Sequence, residues 1–154
     1  MADQIDLYEK DYLMTHMDAA VAEVFELMLG ISCLPLTDEQ EFDRRIMVEV
    51  RFSGVIEGSC LLFLGASAGK RSMEALLGER QDVCDSMMMD AVGELCNMIA
   101  GSWKSKLDPS MASASLSVPT IIQNAESVIS NQVEKKLRRS YRFQGNMFGI
   151  GIYF

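Results

Sequence analysis

The chain has 154 residues, of which 49% are hydrophobic and 23% charged, so a single globular domain with its own core is expected. Its formal net charge of −8 argues against a nucleic-acid partner, because affinity for phosphates depends on Lys and Arg side chains. No apolar run is long enough to span a membrane, and four widely spaced cysteines without a CxxC pair favour a reducing, cytoplasmic compartment.

The N-terminal part of the sequence predicts an arm, one helix and a loop. Residues 1–14 lack a clear period, so we expect a loose arm or a first strand there, ahead of a single domain over 15–154. Apolar residues recur at helical spacing over about 15–29, and Gly30 is typical of a helix end. A polar loop that contains Pro35 follows.

The rest of the sequence predicts strands and helices in an order typical of an α+β domain. Apolar and polar residues alternate over 46–52, which is the period of a half-buried strand, and Ser53-Gly54 predicts a turn. The remaining predicted elements are a strand over 55–64, helices over about 67–77 and 83–107, and strands over about 113–122, 136–144 and 147–154. Gln144-Gly145-Asn146 predicts the turn between the last two strands. Because long parallel crossovers are scarce, we expect an α+β fold with long helices packed on a mainly antiparallel sheet.

The segment 65–72 has the order of a phosphate-binding loop but not its spacing. The motif needs four residues between its glycines and a Ser or Thr directly after the Lys. Here three residues separate Gly65 from Gly69, and Arg71 follows Lys70. We therefore predict a strand-to-helix turn rather than a nucleotide site.

Two further features indicate no chemistry of their own. His16 is the only histidine, which excludes a His-based metal cage and a Ser-His-Asp triad. The basic residues between Lys135 and Arg142 are expected to form a solvated strand face. The sequence therefore predicts no metal site in this chain.

The longest predicted helix has an apolar face and a polar face. At about 100° per residue, the apolar face gathers Met88, Val92, Leu95, Ile99 and Trp103. Spacings of four, three and four residues bring together, on the opposite side, Asp90, Glu94, Asn97 and Gly101. A polar helix face is ordinarily solvated surface, so this pattern alone assigns no function.

Two glycines set this polar face apart. Gly93 and Gly101 lie inside the helix, where each costs about 1 kcal/mol relative to Ala. Both border the polar face, which suits a surface that another backbone approaches closely. Asn97 is also a poor helix former with no capping task at mid-helix. The polar face is therefore the candidate functional site.

The same face carries a family resemblance. Four residues are separated by three, two and twenty-one positions, namely Asp90, Glu94, Asn97 and Pro119. This spacing resembles the signature of the CheC/CheX chemotaxis phosphatases, and the upstream hairpin resembles the single-site CheX branch. The coarse order of elements agrees over about residues 15–122, which implies a CheC/CheX-like domain.

The resemblance implies a phosphatase that accelerates hydrolysis of the aspartyl-phosphate of a CheY-like response regulator. It implies that Asn97 orients the attacking water and that Glu94 pairs with a lysine in the partner's active site. An acyl phosphate is already activated, so a positioned water and charge compensation suffice for hydrolysis. A carboxamide can accept a hydrogen bond from that water and donate one to a phosphoryl oxygen. This chain then needs no cofactor, and Mg²⁺ is expected in the partner.

Supporting roles are expected for the other residues of the candidate site. Asp90 shapes the surface, and Pro119, with its fixed φ, sets a loop beside the polar face. Gly93 and Gly101 permit a close approach to the helix.

The first predicted helix does not repeat the site. Asp18 and Glu23 are one residue too far apart, and Glu26 stands where an Asn is needed. We therefore expect a single site, as in the CheX branch, which resembles a homodimer built through sheet edges. The apolar last strand, which ends at Phe154, would otherwise be an exposed edge, so a homodimer is expected here too.

A non-catalytic adaptor on the same scaffold is the alternative. It would dock on a response regulator or on a flagellar switch-like partner without turnover. The intact pair of Glu94 and Asn97 favours the enzyme. We predict a cytoplasmic phosphatase that binds a phosphorylated CheY-like regulator and neither nucleic acid nor a membrane.

Overall fold

The computed structural model describes residues 7–38, 40–55, 57–79, 84–123 and 136–153. Some predictions lie outside these residues, namely those for the first six residues of the arm, the helix start at Val83, Lys135 and Phe154. A search of the described ranges finds no helix long and apolar enough to cross a bilayer.

The helices agree with the sequence predictions except that the first helix starts earlier and that the short helix Pro109–Ala112 was not predicted. In the described ranges they are α1 (Leu7–Val24), α2 (Ala66–Leu77), α3 (Asp85–Lys106) and α4 (Pro109–Ala112). A π-helical turn, Phe25–Leu29, continues α1 and ends at Gly30, whose φ of 68° is the left-handed conformation typical of a helix C-terminus. The predicted ends of the helices at Gly30, at Gly78 and before Asp108-Pro109 are confirmed.

The start of α1 corrects a prediction. Residues 7–14 are helical, so a loose arm or a strand over these positions is wrong. Leu13 and Met14 are buried in the core, and Nε1 of Trp103 donates a hydrogen bond of 2.9 Å to the backbone oxygen of Leu13. Packing against α3, rather than a regular apolar period, stabilises this part of the helix.

The strands form one seven-stranded sheet in which the pairs are antiparallel. They are β1 (Leu34–Pro35), β2 (Ile46–Ser53), β3 (Gly58–Leu64), β4 (Ser115–Leu116), β5 (Thr120–Gln123), β6 (Lys136–Phe143) and β7 (Asn146–Tyr153). The strand order is β1-β6-β7-β3-β2-β4, and β5 also pairs with β2. The predicted α+β fold, with helices on a mainly antiparallel sheet, is confirmed.

The turn between β6 and β7 lies where the sequence predicts it, at Gln144 and Gly145, but Asn146 already belongs to β7. Phe143 pairs with Asn146, so the loop contains only Gln144 and Gly145. Their φ angles are 46° and 76°, and two successive positive values are what a type I′ hairpin turn requires.

Three strand predictions are corrected by pairing between distant parts of the chain. β1 lies inside the predicted polar loop, because Leu34 pairs with Arg142 of β6. β3 begins at Gly58 rather than at Val55. In place of the single strand predicted over about 113–122 there are two short strands, β4 and β5, with residues 117–119 between them.

The position of β7 overturns the edge argument for a homodimer. β7 lies between β6 and β3, inside the sheet, so it is not the exposed edge expected from its apolar sequence. Its inward side chains, Phe148, Ile150 and Ile152, belong to the main core. A buried central position explains the apolar strand without a partner chain.

The main core lies between the sheet and the helices. Its largest fully buried side chains include Trp103 of α3, Phe25 after α1, and Tyr141, Phe143 and Phe148 of the sheet. A smaller cluster on the opposite face of the sheet contains Met47, Leu61, Phe63 and Tyr153. The helices therefore cover one face of the sheet, and α3 contacts β2, β3 and β5 there.

Candidate functional site

Burial along α3 separates the two faces expected from its sequence. The predicted apolar face is buried throughout, from Met88 to Trp103. Cys96, predicted at the margin of that face, is completely buried, and its sulfur lies 3.9 Å from the backbone oxygens of Val48 and Cys60. The apolar face thus docks α3 on β2 and β3, which fixes the direction of the polar face.

The polar face of α3 presents side chains that have no partner in the described part of the chain. Asp90 and Glu94 are exposed, and Asn97 is half-buried. Across the described ranges, these three side chains make no hydrogen bond or ion pair. Their carboxylate and carboxamide groups are therefore available to another molecule.

Gly93 and Gly101 are contacted by a segment of the same chain rather than by a partner. A Cβ added at Gly93 would lie 3.4 Å from Cβ of Pro119 and 3.7 Å from Cδ1 of Ile121. A Cβ added at Gly101 would lie 3.8 Å from Cδ1 of Leu116. A segment does approach the helix closely at these glycines, as the sequence predicts. It belongs to the same chain and consists of residues 116–119, here called the flanking segment.

The contacts of Pro119 with Gly93 and of Leu116 with Gly101 define the direction of the flanking segment relative to α3. Gly93 and Gly101 are separated by two helical turns, or about 12 Å along the axis. Leu116 and Pro119 are separated by three residues, which span about 10 Å when extended. The segment therefore runs antiparallel to α3, and Asn97, midway between the glycines, lies beside its middle.

Hydrogen bonds to β2 hold the flanking segment in place. The backbone N–H of Ser117 donates to the backbone oxygen of Arg51, 2.9 Å away. In return, the backbone N–H of Arg51 donates to Oγ of Ser117 at 2.9 Å, and Oγ of Ser117 donates to the backbone oxygen of Val118 at 3.0 Å. No sequence pattern indicates this role of Ser117, because its partner on β2, Arg51, is 66 residues away.

The acidic side chains of α1 contrast with those of α3. Asp18 accepts a hydrogen bond of 2.7 Å from the Tyr141 hydroxyl and forms an ion pair of 3.3 Å with Arg139. Glu23 is paired with Lys106, near the end of α3. These two carboxylates are occupied within the chain, which supports a single free polar face rather than a second one on α1.

The contacts of the glycine-rich turn before α2 do not suit a phosphate-binding site. A Cβ added at Gly65 would lie 2.5 Å from the side chain of Asp43, so a carboxylate lies beside the start of the helix. Lys70 and Arg71 form ion pairs with Glu74 of the same helix. The negative charge of Asp43 disfavours a phosphate at this position.

The basic residues of β6 are likewise engaged with the sheet. Arg138 donates hydrogen bonds of 3.0 and 3.1 Å to the Tyr153 hydroxyl, and its guanidinium lies 5.9 Å from the centre of the Phe63 ring. Arg138 and Arg142 are exposed, as a solvated strand face predicts, whereas Arg139 is half-buried and paired with Asp18, so the prediction is wrong for this residue. Within the described ranges, no group of three or more His, Cys, Asp or Glu side chains is placed to hold a metal ion.

Comparison with known proteins places these features in a family. The sequence profile of the family described as "Chemotaxis phosphatase CheX" matches residues 46–139, well over half of the chain. This range contains the polar face of α3 and the whole flanking segment. No curated protein sequence matches the chain.

Solved structures with the same fold cover 92% of the chain. The chemotaxis protein CheX from Vibrio vulnificus is 20% identical, with a TM-score of 0.75 over 95% of that chain. CheX from Desulfovibrio desulfuricans is 19% identical, with a TM-score of 0.73 over 97% of that chain. The CheX-CheY-BeF3-Mg²⁺ complex from Borrelia burgdorferi is 20% identical, with a TM-score of 0.65 over 96% of that chain. At these identities the similarity establishes the fold.

Proposed function

The chain belongs to the CheX family of chemotaxis phosphatases, and we propose that it accelerates hydrolysis of the aspartyl-phosphate of a CheY-like response regulator. The observation that carries this proposal is the polar face of α3. Its Glu94 and Asn97 have no partners within the described chain and lie beside a segment that hydrogen bonds hold to β2. A solved CheX from Borrelia burgdorferi is in complex with CheY, which supports a receiver domain as the partner here.

The proposed reaction needs little chemistry from this chain. A water oxygen attacks phosphorus, the bond between phosphorus and the aspartate oxygen breaks, and inorganic phosphate and a free carboxylate result. The carboxamide of Asn97 would accept a hydrogen bond from the attacking water and donate one to a phosphoryl oxygen. Holding that water in line lowers the entropic part of the barrier, as water-positioning residues do in other phosphoryl-transfer enzymes.

Glu94 would act in docking rather than in bond cleavage. It lies one helical turn before Asn97 and is exposed, so its carboxylate can reach a lysine of the partner. Asp90, one further turn away, would shape the electrostatic surface. Mg²⁺ would belong to the partner, where it neutralises phosphoryl charge.

The supporting residues would keep Asn97 in one position. Pro119 on Gly93 and Leu116 on Gly101 bracket the turn of α3 that carries Asn97. A backbone that is fixed at this turn presents the carboxamide of Asn97 from a constant position, which favours the ordering of a water.

A homodimer in the cytoplasm remains part of the proposal, but through another edge of the sheet. In the described ranges β1 pairs with β6 at Tyr141 and Arg142, and the N–H of Leu36 donates to the backbone oxygen of Ser140, so the rest of that edge, residues 136–139, is the candidate contact. The four thiols are free, which supports a reducing compartment. Light scattering of the purified protein measures its mass in solution, and a monomer at micromolar concentration would contradict the dimer.

The test of function is the dephosphorylation rate of a purified, phosphorylated CheY-like regulator with and without this protein. Asn97→Ala is expected to lower kcat by about 100-fold or more, the usual effect of removing one positioned polar group. Asn97→Asp should fail similarly, because a carboxylate cannot donate to a phosphoryl oxygen and adds negative charge. Ser105→Ala, at an exposed position of the same helix, is the matched control.

Two outcomes would contradict the proposal. Full activity of Asn97→Ala would remove the assigned mechanism. Binding of the phosphorylated regulator without any acceleration by the wild-type protein would favour the non-catalytic adaptor.

A further inference from the structure

Val118 is held in an exposed position beside the candidate site. With 81% of its surface exposed, it is the most exposed of the large apolar side chains in the described part of the chain. It lies in the middle of the flanking segment, next to the turn of α3 that carries Asn97. An isolated exposed valine would need no explanation, so its surroundings decide its meaning.

The exposure of Val118 does not result from a loose loop. The backbone oxygen of Val118 accepts a hydrogen bond from the preceding Ser117, whose own backbone is bonded to Arg51. On the other side, Pro119 has a restricted φ and packs on Gly93. The chain is restrained immediately before and after Val118, so the apolar side chain is presented to solvent by a rigid backbone.

The rest of this surface is polar. Asp90, Glu94 and Asn97 can supply charge and hydrogen bonds, which give specificity and orientation more than net affinity. Burial of an aliphatic side chain supplies affinity without requiring a charged partner. Val118 is the exposed large apolar side chain that the flanking segment contributes to this surface.

We propose that Val118 is a docking anchor that is buried against an apolar patch of the receiver domain when Glu94 and Asn97 engage its phosphorylated site. This inference rests on the proposed function. Val118 would act on affinity and on the choice of regulator, and not on the chemical step, because its side chain can neither orient a water nor stabilise charge. A regulator with a charged residue at the contacted position would be rejected.

The test measures binding separately from turnover. The probe is a purified CheY-like regulator with beryllofluoride and Mg²⁺, whose dissociation constant is obtained by fluorescence anisotropy of the labelled regulator. The variants are Val118→Ser, which removes the apolar surface, and Val118→Ile, which keeps it. Leu27→Ser is the matched control, because Leu27 is also an exposed apolar side chain, at 72%, but does not belong to the candidate site. It lies in the π-helical turn whose Phe25 packs on Phe143 of β6 and Phe148 of β7.

Val118→Ser is expected to raise the dissociation constant about tenfold, which corresponds to about 1.4 kcal/mol. Its kcat with saturating phosphorylated regulator should stay at the wild-type value, and Val118→Ile should bind like the wild type. Leu27→Ser should bind like the wild type as well. An unchanged dissociation constant for Val118→Ser, or a reduced kcat at unchanged affinity, would overturn the inference.

The two proposals fail in different ways. If the wild type binds the regulator but does not hydrolyse it, the proposed function fails, while weakened binding by Val118→Ser still supports the anchor. If the wild type is an active phosphatase and Val118→Ser binds normally, the anchor fails and the phosphatase stands. If the wild type neither binds nor hydrolyses the regulator, both are overturned.

Discussion

Pro119 packs directly on Gly93, so that a Cβ at position 93 would lie 3.4 Å from Cβ and 3.8 Å from Cγ of the proline ring. A glycine at this helix position is unfavourable for the isolated helix but permits the flanking segment to approach α3. The proline and the polar face of α3 are therefore parts of one structure, although they lie on different elements.

The two glycines of α3 should respond differently to substitution. Gly101→Ala is expected to raise the free energy of unfolding by about 1 kcal/mol, since its nearest neighbour, Leu116, leaves room at 3.8 Å and Ala is the better helix former. Gly93→Val is expected to lower it by about 1–3 kcal/mol, because the branched side chain overlaps Pro119 and Ile121. Urea unfolding followed by circular dichroism measures both. A stabilising Gly93→Val would contradict the packing of Pro119 on this turn.

Glu94→Gln should separate docking from hydrolysis. The exchange keeps the size of the side chain and removes the charge that would pair with the partner's lysine. We expect KM for the phosphorylated regulator to rise about tenfold, kcat to stay within about twofold, and the dependence of KM on salt to weaken. Asp90→Asn, the matched control on the same face, should raise KM less. A loss of kcat at constant KM in Glu94→Gln would assign the carboxylate to the chemical step instead.

Stability should fall at alkaline pH because buried acidic groups, Cys33 and Tyr141 among them, resist ionisation. Burial raises the pKa of the Cys33 thiol to about 12 from 9.0, and burial followed by the hydrogen bond to Asp18 raises the pKa of Tyr141. As the pH rises, the unfolded chain releases these protons first, so the folded state loses stability. We expect the free energy of unfolding to decline from about pH 9 upwards, by up to about 1.4 kcal/mol per pH unit for each group.

A series of urea unfolding curves between pH 7 and 12 measures this decline. Cys33→Ala removes one of these groups, so its curve should start lower because of the lost packing and fall less steeply above about pH 9. Parallel curves for the variant and the wild type would show that the Cys33 thiol does not contribute.

The four thiols should differ sharply in reactivity. Cys84 is exposed at the start of α3, and its hydrogen bonds, first with the Ser86 hydroxyl and then with the Met87 N–H, lower the pKa of its thiol. Cys33, Cys60 and Cys96 are buried. A disulfide reagent should therefore react rapidly with one thiol in the native protein and with all four after unfolding. Cys84→Ser should abolish the rapid phase; a rapid phase that survives would mean that a core thiol is accessible.

Features set by local sequence could be predicted well. The two faces of α3 follow from apolar spacing within one helix, and the turn between β6 and β7 follows from Gly145, which tolerates positive φ. The candidate site residues Asp90, Glu94 and Asn97 lie together for the same reason, because one helix places them.

Features set by distant pairing could not be predicted from local patterns. The apolar sequence of β7 fits an edge that needs a partner as well as a buried central strand, and only the pairing with β3 and β6 decides between them. Leu7–Leu13 have little helical period of their own, and the contact with Trp103 lies far along the chain. In the same way, the role of Ser117 depends on Arg51 of β2, which no pattern near Ser117 indicates.

Trp103 is the only tryptophan of the chain. It is completely buried on α3, and its Nε1 donates to the backbone oxygen of Leu13 on α1. Its intrinsic emission is therefore an internal optical probe of the contact between these two helices. The polar face of α3 points away from the indole, so occupation of the site should leave the emission maximum unchanged. A red shift on substitution or on addition of a partner would then signal separation of α1 from the core, and this spectral criterion distinguishes loss of fold from loss of function in a single cuvette.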